Sequence, residues 1–138
     1  MTGSPIEQLL EALDKLDAEA TVALFAPGGR LRSVDGRRVE GQESISEFLG
    51  ELFAQLRSMS HRITAAWNPD DVWIAELEAS YELQDRLRMD AVPRALVLRH
   101  GADGITELHA YGANEPELAD RHPHSEGMRI GGRWMPPL

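Results

Sequence analysis

The sequence predicts an α+β fold, helices first and a run of long strands after them, on three observations. Apolar residues recur at helical spacing in 6–16 and again in 45–56. From residue 61 onward the period changes to two, the signature of strands with one apolar face. Residues 94–115, RALVLRHGADGITELHAYGANE, read as two strands, 95–100 and 105–112, joined by Gly101-Ala102-Asp103-Gly104, whose Asp-Gly supplies hairpin turn chemistry. With the strand-like segment 72–83 ahead of it, this hairpin extends to a three-stranded meander.

The elements follow in order. Ser4-Pro5-Ile6-Glu7 starts a helix, with Ser at the cap, Pro at the first helical position and Glu three residues after the cap. Ile6, Leu9, Leu10, Leu13 and Leu16 give it one apolar face. Asp17 caps a second, shorter helix carrying Val22, Leu24 and Phe25, expected to stop near Pro27-Gly28-Gly29. Residues 30–34 and 38–40 form a short ribbon around Asp35-Gly36. In the third helix Ile45, Phe48, Leu49, Leu52, Phe53 and Leu56 fall at offsets of 3, 4, 7, 8 and 11 from the first, so that face is buried. His61, Ile63, Ala65 and Trp67 then share one face of a strand. Along 72–83 the apolar odd positions Trp73, Ala75, Leu77, Ala79, Tyr81 and Leu83 alternate with Glu76, Glu78 and Ser80, giving one apolar and one mixed face.

Length and charge bound the rest. At 138 residues the chain is expected to be one domain over 1–118 with a tail, 119–138, and a chain near this size buries roughly 70% of the surface its unfolded form exposes. The formal net charge of −9 repels phosphate backbones, which argues against nucleic acid as a partner. The chain has no cysteine, hence no disulfide, no thiolate chemistry and no cysteine-ligated zinc. No apolar run approaches the ~20 residues of a membrane span and the N-terminus lacks a basic-then-apolar leader, so a cytoplasmic location without membrane attachment is the expectation. No metal site and no organic cofactor is expected. The tail has no period and four Gly or Pro residues in its last eight, yet Met128, Ile130, Trp134, Met135 and Leu138 are too apolar for a solvated segment; docking and flexibility stay open.

The element order, with Leu24-Phe25-Ala26, Val39-Glu40-Gly41, Ile45-Ser46-Glu47-Phe48 and Gly104-Ile105-Thr106-Glu107-Leu108-His109-Ala110-Tyr111, resembles the SnoaL-like and ketosteroid isomerase-like branch of the nuclear transport factor two superfamily over about residues 5–116. The resemblance implies a cystatin-like cone: a curved, mixed or antiparallel sheet wrapped around the third helix, with the two N-terminal helices closing a conical cavity. It also implies a homodimer through the outer sheet face. Fold resemblance of this kind does not carry a reaction with it.

The catalytic sets of such proteins do not transfer residue by residue. Ketosteroid isomerases use an Asp base with a Tyr and a protonated Asp as oxyanion hole. Here the base position falls near Ser33, the Tyr near Leu9 and the second Asp near Arg94 or Ala95. The last-strand Asp of SnoaL-type cyclases falls at Ala110, with Leu108 before it, and the Arg-x-Asp pair of limonene epoxide hydrolase-like enzymes meets only Glu76-x-Glu78.

The main expectation is a small-molecule-binding domain with an apolar cavity bounded by Leu9, Leu13, Leu49, Phe53, Leu96, Leu108 and Ala110, with Ser33, His61, Trp67 and Glu76 as further pocket candidates. A small apolar molecule is the expected partner. Arg94 shares a strand face with Leu96 and Leu98, so it enters the cavity and needs a carboxylate, for which Glu78 or Glu76 is the natural choice. The alternative is an acid–base enzyme acting on an apolar carbonyl or epoxide compound, with Glu78 as base and Arg94 stabilising negative charge. A third reading is an interaction module with a filled interior. Glu107, His109 and Tyr111 face outward by parity, Trp67, Trp73 and Tyr81 are most simply packing residues, and His122-x-His124 with Glu126 is a weak metal pattern.

Overall fold

The computed structural model describes residues 3–112, 128–130 and 133–138. Helices α1 (Pro5–Asp14) and α2 (Ala18–Ala23) lead into β1 (Phe25–Arg32), β2 (Arg38–Glu40), α3 (Gln42–Ala54), β3 (Leu56–Trp67), β4 (Val72–Leu83), β5 (Arg88–Gly101) and β6 (Gly104–Gly112); β7 (Met128–Ile130) and β8 (Arg133–Met135) follow. The six-stranded sheet has the order β2-β1-β6-β5-β4-β3, antiparallel except for the parallel β1–β6 pair, and β7–β8 form a separate ribbon. It is an open, mixed sheet in an α+β cone, as the sequence predicts.

Local chemistry sets the boundaries. Ser4 Oγ accepts from the Glu7 amide and the Glu7 carboxylate accepts from the Ser4 amide at 2.9 Å, a reciprocal cap that starts α1. Asp17 Oδ1 accepts from the Ala20 amide at 3.0 Å and starts α2. Pro27-Gly28-Gly29 does not separate helix from strand as expected. It lies inside β1, where a register shift between Phe25 and Arg30 absorbs the extra residues, while Phe25 pairs with Ile105 and Leu31 with Leu108. The Asp103-Gly104 turn stands as expected, and Gly104 is held at φ +121° with the Leu24 carbonyl 2.7 Å from where a Cβ would sit.

Helix α3 ends at Ala54, so Leu56 opens β3 rather than closing the helix, and strand structure begins five residues before the predicted 61. Strand β5 also starts early, at Arg88, with a register shift opposite Ala79 and Tyr81 and Ala91 at φ +56°. Ile6, Leu9 and Leu13 of α1, Ile45, Phe48, Leu49 and Leu52 of α3, and the inward residues of β4, β5 and β6 form one core cluster. Each fully buried Leu there contributes about 2 kcal/mol of transfer free energy. Leu138 belongs to the same cluster. Among the described residues, no helix is long and apolar enough to cross a membrane.

Candidate functional site

The concave face of the sheet is apolar except at a few points. Strand alternation aims Ala75, Leu77, Ala79, Tyr81 and Leu83 of β4 inward, with Leu96 and Leu98 of β5 and Leu108 and Ala110 of β6. Arg94 shares that parity. It sits between Leu77 on one neighbouring strand and Gly112 on the other, and is only 4% exposed.

Its guanidinium donates from Nη1 to the Pro93 carbonyl and from Nη2 to the Pro136 carbonyl, both at 3.1 Å. Nε is buried without a hydrogen-bond partner, and among the described residues no carboxylate pairs with Arg94. A cation withdrawn from water without a counter-ion costs several kcal/mol. Gly112 makes the room for it, because a Cβ there would fall on Arg94 Nη1 and 2.9 Å from Val34 Cγ1.

Tyr81, 1% exposed, donates its hydroxyl to the Leu138 backbone oxygen. Burial pushes its pKa up from the ordinary phenol value, and the nearby Arg94 charge draws it back only in part, so Tyr81 is a proton donor at neutral pH. A third donor, the Val34 amide, meets the Pro137 carbonyl at 2.8 Å.

The expected pocket residues Leu9, Leu13, Leu49, Leu96, Leu108 and Ala110 all lie in this interior, whereas Phe53 packs at its edge, partly buried. Ser33 is buried, but its hydroxyl donates to the Asp35 carboxylate within its own turn. His61 lies opposite Ala79 on the inner face; its ring is 3% exposed and Nδ1 is 2.6 Å from Asp14 Oδ1 at the end of α1. His61 and Arg94 are two strands and two residues apart, roughly 12 Å on standard sheet spacings.

Three expectations are corrected. Glu78 and Glu76 occupy even positions of β4, opposite in parity to the buried Leu77 and Ala79, so they face outward. Glu78 pairs with Arg62 at 2.5 Å on the outer face, and the residue across from Arg94 is Leu77. The proposed Glu78–Arg94 couple therefore does not exist. Trp67 is not a pocket residue either: a bulge between Ile63 and Ala65 inverts the parity of β3, so Trp67 pairs with Ile74 and is 51% exposed.

The outer face carries the charged groups. Glu107 bridges Arg30 at 2.5 Å and Arg99 at 3.3 Å, and Arg32 donates to the Tyr111 hydroxyl at 2.6 Å. His109 stands edge-on to Tyr111, and its pKa is lowered, first by burial and then by the Arg32 charge. A shallow groove of about 450 Å³ runs over Arg30, Arg38, Glu40 and His109. Among the described residues no group of three or more His, Asp or Glu side chains could hold a metal, and His122, His124 and Glu126 lie outside the described residues.

Sequence reasoning missed Tyr81 as a polar interior group. Its odd parity between Ala79 and Leu83 was the available signal, since a phenol aimed into a core needs an acceptor.

Comparison with known proteins agrees with this frame. The sequence profile of the family described as SnoaL-like domain matches residues 6–109. The chain belongs to the SnoaL-like domain family. The SnoaL-like chain is similar to a hypothetical protein of ketosteroid isomerase-like fold from Catenulispora acidiphila, solved in complex with trimethylamine, at 23% identity over 86% of this chain and 92% of that one with a TM-score of 0.75. A cystatin fold protein from Novosphingobium aromaticivorans matches at 15% identity over 77% and 93% of the two chains with a TM-score of 0.67. An LEH-like epoxide hydrolase of M. tuberculosis matches at 16% identity over 79% and 80% with a TM-score of 0.68. At these identities the likeness is one of fold. No curated protein matches the chain.

Proposed function

We propose that this SnoaL-like domain binds a small, largely apolar molecule in the interior of the cone, with Arg94 orienting it. The carrying observation is Arg94 itself, a buried guanidinium with an unpartnered Nε and no carboxylate beside it among the described residues. A fold retains so costly a group where a ligand supplies the missing acceptor. The surrounding Leu77, Leu96 and Ala110 select an apolar body, and Tyr81 adds a second donor.

The test is binding of a panel of apolar carbonyl, carboxylate and alcohol compounds to the wild-type chain and to Arg94→Met, followed by calorimetry. This reading expects binding that Arg94→Met weakens by more than about tenfold, the worth of one charge-assisted hydrogen bond. A panel that binds nothing, or binds both proteins equally, contradicts it.

One observation favours acid–base catalysis on a carbonyl or epoxide compound as a second reading: the His61–Asp14 contact at 2.6 Å, with the ring withdrawn from water on the inner face. It replaces Glu78 as the candidate base. Turnover of an apolar epoxide that is lost in both His61→Gln and Asp14→Asn supports this reading, and turnover unchanged in either variant rejects it. The outer sheet face, with Trp67 and Tyr111 exposed, is the surface a homodimer would use, which sedimentation of Trp67→Glu against wild type tests.

A further inference from the structure

We infer that residues 134–138 occupy the ligand site as a stand-in, and that the molecule they yield to is an apolar carboxylate. This rests on the small-molecule reading above and names the chemistry of that same site.

Three donors converge at this end of the interior, and each is met by the backbone oxygen of a consecutive residue of one segment. Arg94 Nη2 donates to Pro136, the Val34 amide to Pro137 and the Tyr81 hydroxyl to Leu138. Two of those three residues are prolines, which carry no N–H, so they enter a donor-only site without burying an unsatisfied donor of their own. The Leu138 side chain, 3% exposed, joins the core cluster beside them. The segment thus shows what the site accepts: oxygen acceptors at one end and an aliphatic body at the other.

What it supplies is incomplete. The Pro93 and Pro136 carbonyls that Arg94 reaches are neutral, and its Nε stays without a partner. A carboxylate set directly against Arg94 brings a negative charge in contact with the guanidinium and a second oxygen placed for Nε in the fork geometry that guanidinium and carboxylate share. An alcohol or amine of the same body brings neither. Because segment and ligand use the same donors, they cannot be bound together. The apparent affinity for the ligand is then reduced by the fraction of molecules in which the segment is in place.

The full chain contains no cysteine, so Leu138→Cys installs a single thiol that reports on the segment. Decanoate, below its micelle concentration, is the probe, decanol the control for its apolar body, and Leu98→Cys the control for general unfolding. Decanoate is expected to speed thiol modification at position 138 by about tenfold or more, leaving the thiol at position 98 unchanged and decanol without effect. Calorimetry is expected to show decanoate binding Leu138→Ala at least about tenfold more tightly than wild type.

Decanoate binding to wild type and Leu138→Ala alike, with the thiol at 138 unaffected, overturns the stand-in while leaving the small-molecule reading intact. Decanol acting as decanoate does overturns the carboxylate. Decanoate binding to neither protein overturns the carboxylate; if the other compounds of the panel also bind neither, the reading of the site falls with it.

Discussion

Replacing Arg94 by methionine should stabilise the domain. The substitution keeps an unbranched chain of similar reach, removes a charge that is 96% buried, and gives up the hydrogen bonds to the neutral carbonyls of Pro93 and Pro136 at 3.1 Å each together with the interaction with the Tyr81 hydroxyl. Hydrogen bonds to a charged group are each worth about 1.5–3 kcal/mol net. Against them stands the several kcal/mol of desolvation that an unpaired buried ion carries; replacing even a buried ion pair by apolar groups of similar volume is often neutral or stabilising by about 1–4 kcal/mol. Leu77 and Leu96 offer the methionine an apolar lining, so the balance falls at a gain of about 1 kcal/mol, or a rise of roughly 4 °C in Tm for a domain of this size. Urea and thermal denaturation of the two proteins, each followed by circular dichroism, measure it. A loss of 3 kcal/mol or more would show that the guanidinium holds the fold together, and the argument that a ligand accounts for it would fail.

The other predictions concern its surroundings. Gly112→Ala sets a methyl against Arg94 Nη1 and Val34 Cγ1, and should destabilise by about 1–3 kcal/mol in the same urea titration. Tyr81→Phe removes the donor to Leu138 and should cost about 1 kcal/mol at pH 7. Because the folded pKa of Tyr81 is raised, its contribution is fully present below the unfolded value of about 10 and is lost as pH rises through the folded one; wild-type stability should fall between those two values, more steeply than in Tyr81→Phe. The folded pKa of His109 is lowered, so its contribution is present above about 6.5 and is lost as pH falls through the folded value, which an NMR titration of the ring and acid denaturation of His109→Gln should both record. Glu78→Gln breaks only the exposed pair with Arg62 and should leave stability within about 0.5 kcal/mol by urea titration, whereas a buried catalytic carboxylate would move it further.

What was legible in the sequence was what repeats. The helical faces of α1 and α3, the alternation along β4, the Asp103-Gly104 turn and the inward parity of Arg94 all follow from period and turn chemistry, and together they fix most of the core. What was not legible depends on single irregularities or on distant contacts. The bulge after Ile63 inverts one end of β3 and puts Trp67 outside, and nothing in Ile63-Thr64-Ala65-Ala66 announces it. The register shift in β1 lets Pro27-Gly28-Gly29 lie in a strand because β6 pairs with both ends of it. Glu78 was misplaced for a different reason: a charge was matched to a charge across adjacent strands, although their parities were already opposite. The contact of Pro136, Pro137 and Leu138 with Arg94, Val34 and Tyr81 joins residues far apart in the chain, and the apolar character of the tail was its sole trace in the sequence.

The most direct test of the site is a crystal structure of the full chain grown with decanoate. The account predicts the carboxylate against the Arg94 guanidinium, Nε included, and the Tyr81 hydroxyl, with the Leu138 side chain withdrawn from the core. Decanoate lodged in the outer groove over Arg30 and Arg38, with Leu138 still on Tyr81 and Pro136 still on Arg94, would contradict it.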